Sequence, residues 1–76
     1  MIKIMDDNKT YNIKIGSMIA KMRAEKNMSQ RDLADSAGID KAHIARIEQG
    51  RYSIRIDILY KIATGLNCSV KDILPD

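Results

Sequence analysis

Residues 29–50, "SQRDLADSAGIDKAHIARIEQG", contain the features that decide the fold of this chain. Ser29 and Asp32 have the spacing of a capping box, in which each side chain binds the backbone amide of the other residue. This box predicts a helix over residues 30–37. Gly38 is expected to end the helix, because glycine adopts the positive φ of a helix end at little cost.

A second helix is predicted soon after Gly38. Asp40 can cap it after a turn of about three residues, and Ile44 and Ile47 lie on one side of it at helical spacing. So short a turn makes the two helices cross steeply. Their axes must then approach closely, which the small side chain of Ala34 allows. The segment therefore predicts a tight helical corner.

Apolar stripes at spacings of three and four predict one helix on each side of this corner. The first covers residues 13–26, and the other lies within residues 56–66. Their expected inner faces are Ile15, Met18, Ile19 and Met22 in the first helix, and Leu59, Ile62, Ala63 and Leu66 in the other. A second capping box, "SVKD" at residues 69–72, predicts a short fifth helix through Leu74. We therefore predict an all-α fold, a compact five-helix domain over residues 12–76.

The segment of residues 1–11 is predicted to form a separate arm before this domain. In residues 1–15, "MIKIMDDNKTYNIKI", apolar and polar residues alternate on both sides of a polar turn, which is typical of a small hairpin or a short strand. An isolated two-stranded ribbon of this size is marginal in water, so a disordered or loosely packed arm is the alternative expectation. The sequence is compatible with both.

The composition limits what so short a chain can do. Its 76 residues, 45% of them apolar and 30% charged, suffice for one domain with a small core and little room for a substrate cavity. The single cysteine, Cys68, excludes an internal disulfide, and one histidine offers neither a metal ligand set nor an acid–base pair. We therefore expect no enzyme, no metal and no cofactor. No secretory signal or long apolar run is evident, so we expect a cytoplasmic protein without membrane contact.

The outer face of the second corner helix combines small and polar side chains. At about 100° per residue, these side chains lie opposite the two isoleucines or at the flanks. They are Ala42, Ala45, Arg46 and Gln49, with Lys41 and His43 at the flanks. Small residues let a helix enter a narrow space, and the DNA major groove is such a space, lined with acceptors that Arg and Lys bind. Residues 41–55 also hold four lysine or arginine residues against one acid, Glu48, which favours contact with phosphates.

The spaced pattern "SQ..LA...GI....I..IE.G" in residues 29–50 resembles the helix-turn-helix of the phage repressor and Cro family, also called XRE-type regulators. The resemblance extends from about Ile15 to Leu74. It implies a structural ion pair between Arg23 and Glu48. It also implies that four residues of the second corner helix read DNA bases, namely Lys41, Ala42, His43 and Arg46.

The resemblance further implies contacts with the DNA backbone. Gln30 matches a position that binds a phosphate and also braces the second corner helix. The loop after that helix matches further contacts, at Arg51, Tyr52, Ser53 and Arg55. Ile54 and Arg55 stand where many members have a proline and a capping Ser or Thr, so a different loop shape is compatible with the sequence.

The function implied by the resemblance is that of a transcriptional regulator, most simply a repressor. It would bind a palindromic operator on double-stranded DNA as a homodimer. Two other functions are compatible with the sequence. Small domains of this kind also resemble the controller proteins of restriction systems, which can activate as well as repress. Antitoxins share the fold, and residues 1–11 would then bind a protein partner while DNA binding serves autoregulation.

Overall fold

A computed structural model describes residues 3–75 of the chain, with side chains over residues 9–75. It contains four α-helices, which are α1 (Lys3–Glu25), α2 (Gln30–Ala37), α3 (Lys41–Glu48) and α4 (Ile56–Gly65). A 3-10 turn at Val70–Asp72 follows them, and no strand occurs in residues 3–75. The all-α prediction is confirmed. The prediction of five helices is wrong, because the fifth element is the 3-10 turn.

The capping box that begins α2 forms as the sequence predicts. The Oγ of Ser29 accepts a hydrogen bond from the amide of Asp32 at 2.9 Å, and the amide of Ser29 donates to Asp32 Oδ2 at 2.9 Å. These hydrogen bonds hold the pKa of the Asp32 carboxyl below its ordinary value. Gly38 ends the helix with φ of 72°, in the left-handed region that glycine adopts readily.

The start of α3 differs from the prediction in one respect. Asp40 takes the N-cap position with an extended backbone, but its side chain makes no capping hydrogen bond. The amide of His43, which a capping side chain would bind, instead donates to the backbone carbonyl of Asp40 at 3.0 Å. The tight first turn therefore satisfies this donor without the carboxylate.

The core is aliphatic and lies where all four helices meet. Its largest fully buried side chains are Ile19, Leu33, Ile44, Ile47, Ile62, Leu66 and Ile73. The predicted inner faces of α3 and α4 are confirmed, and the buried side of α2 consists of Leu33, Ala34 and Ala37. Of the four residues predicted for the inner face of α1, Ile19 is fully buried, Ile15 and Met22 pack against the core, and Met18 is half-buried. Burial of each of these large side chains contributes roughly 1.5–3 kcal/mol, so the core rather than helix propensity holds the short helices together.

Helix α1 lies directly on the last turn of α3 because residue 16 is a glycine. A Cβ atom added at Gly16 would overlap the carbonyl oxygen of Ile47 and lie 2.9 Å from that of Glu48. Both neighbours are backbone atoms and cannot rotate away. The missing side chain therefore sets how closely α1 approaches the end of α3.

The N-terminal prediction is corrected by the start of α1 at Lys3. The strand or hairpin is wrong, and residues 3–11 are helical rather than disordered; residues 1 and 2 lie outside the described residues. Adding residues to an existing helix forms one hydrogen bond per residue without a new nucleation step, whereas a two-stranded ribbon has no core of its own. A separate role for residues 1–11 stays a prediction.

The C-terminal element is shorter than the expected α-helix. The amide and the Oγ of Ser69 both donate to Asp72 Oδ2, at 3.1 and 3.0 Å. Pro75 disfavours the α conformation at Leu74 and lacks an amide donor, so little more than one turn can form. The turn still places Ile73 in the core, where it is 1% exposed.

Candidate nucleic-acid interface

The two faces of α3 differ sharply in chemistry. Ile44 and Ile47 are 0% and 1% exposed, and they fix the helix in the core. The opposite side is open to solvent. It presents the exposed residues Lys41, Ala42, Arg46 and Gln49, with His43 and Ala45 half-buried at its margins. A helix of small and donor side chains is therefore held with its polar face outward, in the form that a major groove can accept.

A shallow depression of about 280 Å³ connects this face with the following loop. Its polar lining consists of His43 and Arg46 from α3, and Tyr52, Ser53 and Arg55 from the loop. The structure thus brings together two of the four residues predicted to read bases and three of those predicted to meet the backbone. Lys41 and Ala42 lie at the start of α3 and do not line this depression, nor does Arg51.

The loop keeps its basic side chains accessible. Arg51, Tyr52 and Ser53 are all exposed. Arg55 forms an ion pair with Asp57, with 3.3 Å between Nε and Oδ1, but the two side chains are 80% and 55% exposed. An ion pair this exposed contributes between about 0 and 1 kcal/mol, so Arg55 can exchange the carboxylate for a phosphate at little cost. Asp57 is not among the residues predicted from the sequence, although it and Arg55 flank the start of α4.

The end of α3 is anchored by a network of polar side chains centred on Glu48. Arg23 donates from Nε to Glu48 Oε2 at 2.8 Å and from Nη2 to Oε1 at 3.2 Å. Gln30 donates from Nε2 to the same Oε1 at 3.0 Å. Arg23 also donates from Nη1 to the carbonyl of Met28 at 2.7 Å. These four residues tie α1, the turn after it, α2 and α3 into one unit.

This network is only slightly exposed, with 19% for the Arg23 side chain and 7% for Glu48. The hydrogen bond to Glu48 raises the pKa of Arg23 above its ordinary value, despite the opposing effect of burial. The ion pair that the sequence predicts is therefore formed, and Gln30 makes the expected brace to α3. A phosphate contact by Gln30 stays a prediction.

The described residues give little support for a metal site, a reactive cysteine or a membrane-spanning helix. Among the described side chains, no three His, Cys, Asp or Glu residues lie close enough together to hold a metal ion. Cys68 is half-buried, and burial raises the pKa of its thiol, which disfavours the reactive thiolate. Within residues 3–75, no helix combines the length and apolar character that crossing a membrane requires.

The arrangement defines a class of protein. Two short helices meet at a tight turn, and the second is buried on one side and exposes donors beside a basic loop on the other, which is the geometry of a helix-turn-helix. The profile of a helix-turn-helix family matches residues 19–73, and the chain belongs to this family. The resemblance identified from the sequence is therefore confirmed.

Relatives and solved structures agree with this assignment. An uncharacterised HTH-type transcriptional regulator of Archaeoglobus fulgidus is 36% identical over 55 residues, which cover 72% of this chain and 78% of the relative. The crystal structure of the restriction-modification controller protein C.AhdI from Aeromonas hydrophila superposes with a TM-score of 0.80 at 25% identity, covering 83% of this chain and 96% of that one. A second controller protein, C.Esp1396I, gives a TM-score of 0.73 at 36% identity and covers 76% and 75% of the two chains. The chain is accordingly a helix-turn-helix protein of the transcriptional-regulator class.

Proposed function

We propose that the protein is a sequence-specific transcriptional repressor that binds a palindromic operator as a homodimer, with α3 in the major groove. The observation that carries the proposal is the exposed face of α3, which continues into the basic loop through the depression beside Arg46. A surface that only attracted phosphates would not need a helix with small residues and long donors side by side. The combination suits a helix that enters a groove and touches base edges.

The residues of α3 have distinct roles in this proposal. Arg46 and Lys41 donate to base acceptors, since both are long and exposed. Ala42 allows the helix backbone to approach the bases, and His43 donates to a base edge or a phosphate from the flank. These contacts specify the sequence.

The surrounding residues position the helix on the DNA backbone. Arg51, Tyr52, Ser53 and Arg55 contact phosphates on one side of α3. Gln30 lies at the start of α2, where free backbone amides and the helix dipole favour a phosphate. The side-chain amide of Gln30 already donates a hydrogen bond to Glu48. These contacts set the register of α3 without reading sequence.

The test is selection from a random duplex library with the wild-type protein and Arg46→Ala in parallel. We expect the wild type to select a palindromic motif, and Arg46→Ala to relax one base position in each half-site by about 1–3 kcal/mol. Lys61→Ala is the matched control, because it removes one positive charge from an exposed position on α4. It should retain the motif. Identical motifs for wild type and Arg46→Ala would show that Arg46 does not read bases.

A second candidate function is that of a controller protein, which can activate as well as repress. It is favoured by the similarity to C.AhdI and C.Esp1396I, both of which are named as restriction-modification controller proteins. A reporter placed behind the selected operator distinguishes the two functions. Expression that falls at every protein level supports the repressor, whereas expression that rises over part of the range supports the controller.

A further inference from the structure

A second surface depression lies between α1 and the segment that follows α3. Its volume is about 670 Å³. It is lined by Lys9, Asn12 and Ile13 from α1, and by Gln49, Gly50, Arg51 and Tyr52 from the other side. Neither Lys9 nor Asn12 is among the residues that the sequence predicts to contact DNA. We refer to this depression as the α1 cleft.

The α1 cleft exists because α1 lies on the turn at Gly50. This glycine has φ of 74°, and a Cβ atom at this position would lie 2.8 Å from the Cα of Ile13. The turn and α1 are therefore in direct backbone contact. Helix α1 continues past this contact towards its N-terminus, which brings Lys9 and Asn12, about one turn apart, alongside Arg51.

The charged side chains of residues 9–75 that line the α1 cleft are both positive. Lys9 and Arg51 are exposed, and among the described side chains no aspartate or glutamate lines the cleft. Among the side chains of residues 9–75, no carboxylate lies within ion-pairing distance of either residue. The side chains of Lys9 and Arg51, together with the side-chain amides of Asn12 and Gln49, form a donor-rich surface that suits an anion.

The α1 cleft is continuous with the surface proposed to bind DNA. Tyr52 lines both the cleft and the depression that contains His43, Arg46 and Arg55. Tyr52 is 53% exposed and lies between the two depressions without covering either of them. One basic surface therefore runs from α3, across the loop, to the N-terminal half of α1.

We propose that Lys9 and Asn12, together with Arg51, bind a backbone phosphate of the operator beyond those contacted by α3 and the rest of the loop. The N-terminal extension of α1 thereby lengthens the DNA segment that each subunit covers. This inference rests on the proposed DNA binding and adds a contact that increases affinity without reading sequence.

The test compares Lys9→Ala with Lys14→Ala on the operator selected by the wild-type protein. Both variants remove one exposed lysine from α1, but Lys14 lines a different groove, beside Ile73 and Pro75. The measurement is the dissociation constant as a function of salt concentration. A phosphate contact contributes about 0.9 to the slope of log K against log salt. When the salt concentration rises from about 50 to about 200 mM, the affinity of every variant falls, and the factor for Lys9→Ala should be roughly 3.5 times smaller than the factor for the wild type. The affinity of Lys14→Ala should fall by the same factor as that of the wild type.

A series of operator duplexes of decreasing length locates the contact. The difference between Lys9→Ala and the wild type should vanish once the outer phosphates are removed from the duplex. Equal salt slopes for Lys9→Ala, Lys14→Ala and the wild type would overturn the inference, as would a changed base motif for Lys9→Ala. Absence of any motif for the wild type would instead count against the proposed function, so the two failures are distinguishable.

Discussion

Glu48 is the residue on which the position of α3 most depends. Its two carboxylate oxygens accept hydrogen bonds from Arg23 and Gln30, which belong to two other helices. The carboxylate is 7% exposed, so its partners have little water to replace it. A single side chain at the end of the recognition helix therefore connects three helices.

We expect Glu48→Ala to lower the free energy of unfolding by about 3 kcal/mol, because it leaves the mostly buried charge of Arg23 without its partner. Gln30 loses an acceptor at the same time. Denaturation by urea at neutral pH measures the change. Glu25→Ala, at an exposed position on α1, is the matched control and should have a small effect. Equal stability of the two variants would mean that the network contributes specificity of folding rather than stability.

The contact between α1 and α3 shows how one small residue positions a whole helix. Gly16 lowers the intrinsic helix propensity of α1 by about 1 kcal/mol relative to alanine. The position has no room for a methyl group, because two carbonyls of α3 lie against it. Local propensity and packing therefore favour different residues, and packing is the larger effect here.

Gly16→Ala is expected to destabilise the protein by about 1–2 kcal/mol, because the cost of overpacking exceeds the gain in helix propensity. The neighbouring exposed Ser17 provides the control, since Ser17→Ala changes propensity without a steric conflict. Thermal unfolding monitored by circular dichroism compares the two. A Gly16→Ala variant more stable than the wild type would show that α1 can move away from α3 without cost.

In the proposed dimer, each subunit occupies one DNA half-site. The described residues span 39 × 23 × 21 Å, and the long axis is close to the roughly 34 Å length of a 23-residue α1. Each subunit presents one α3, and the half-sites of a dimeric helix-turn-helix protein lie about 34 Å apart on one face of the duplex. The proposed dimer therefore requires a fixed spacing between half-sites.

Insertion of about five base pairs between the half-sites should abolish cooperative binding, because it rotates one half-site by about half a turn to the opposite face. Affinity should fall towards that of an isolated half-site. Titration of labelled duplexes measures the loss. Substitution of the same spacer bases without a change of length is the control and should retain most of the affinity. Equal affinity for the intact operator and a single half-site would argue for a monomeric reader.

Features that depend on neighbouring residues in the chain could be predicted from the sequence. The capping box at Ser29, the positive φ at Gly38 and the buried sides of α3 and α4 all follow from short-range spacing and side-chain chemistry. The resemblance, which extends from about Ile15 to Leu74, added the helix-turn-helix family and the Arg23–Glu48 pair. These features depend on residues within one or two helical turns of one another, or on residues that are already paired in the family pattern.

Features that depend on contacts between distant segments required the tertiary structure. The pattern of residues 1–11 is compatible with a strand or an arm, and α1 extends to Lys3 because a packed helix is already present to be lengthened. The α1 cleft likewise depends on Ile13 meeting Gly50, a contact that no local spacing indicates. Local chemistry determines where each helix begins and which side it buries. The approach of distant backbones determines which exposed side chains come together on one surface, because only packing brings them within reach of one another.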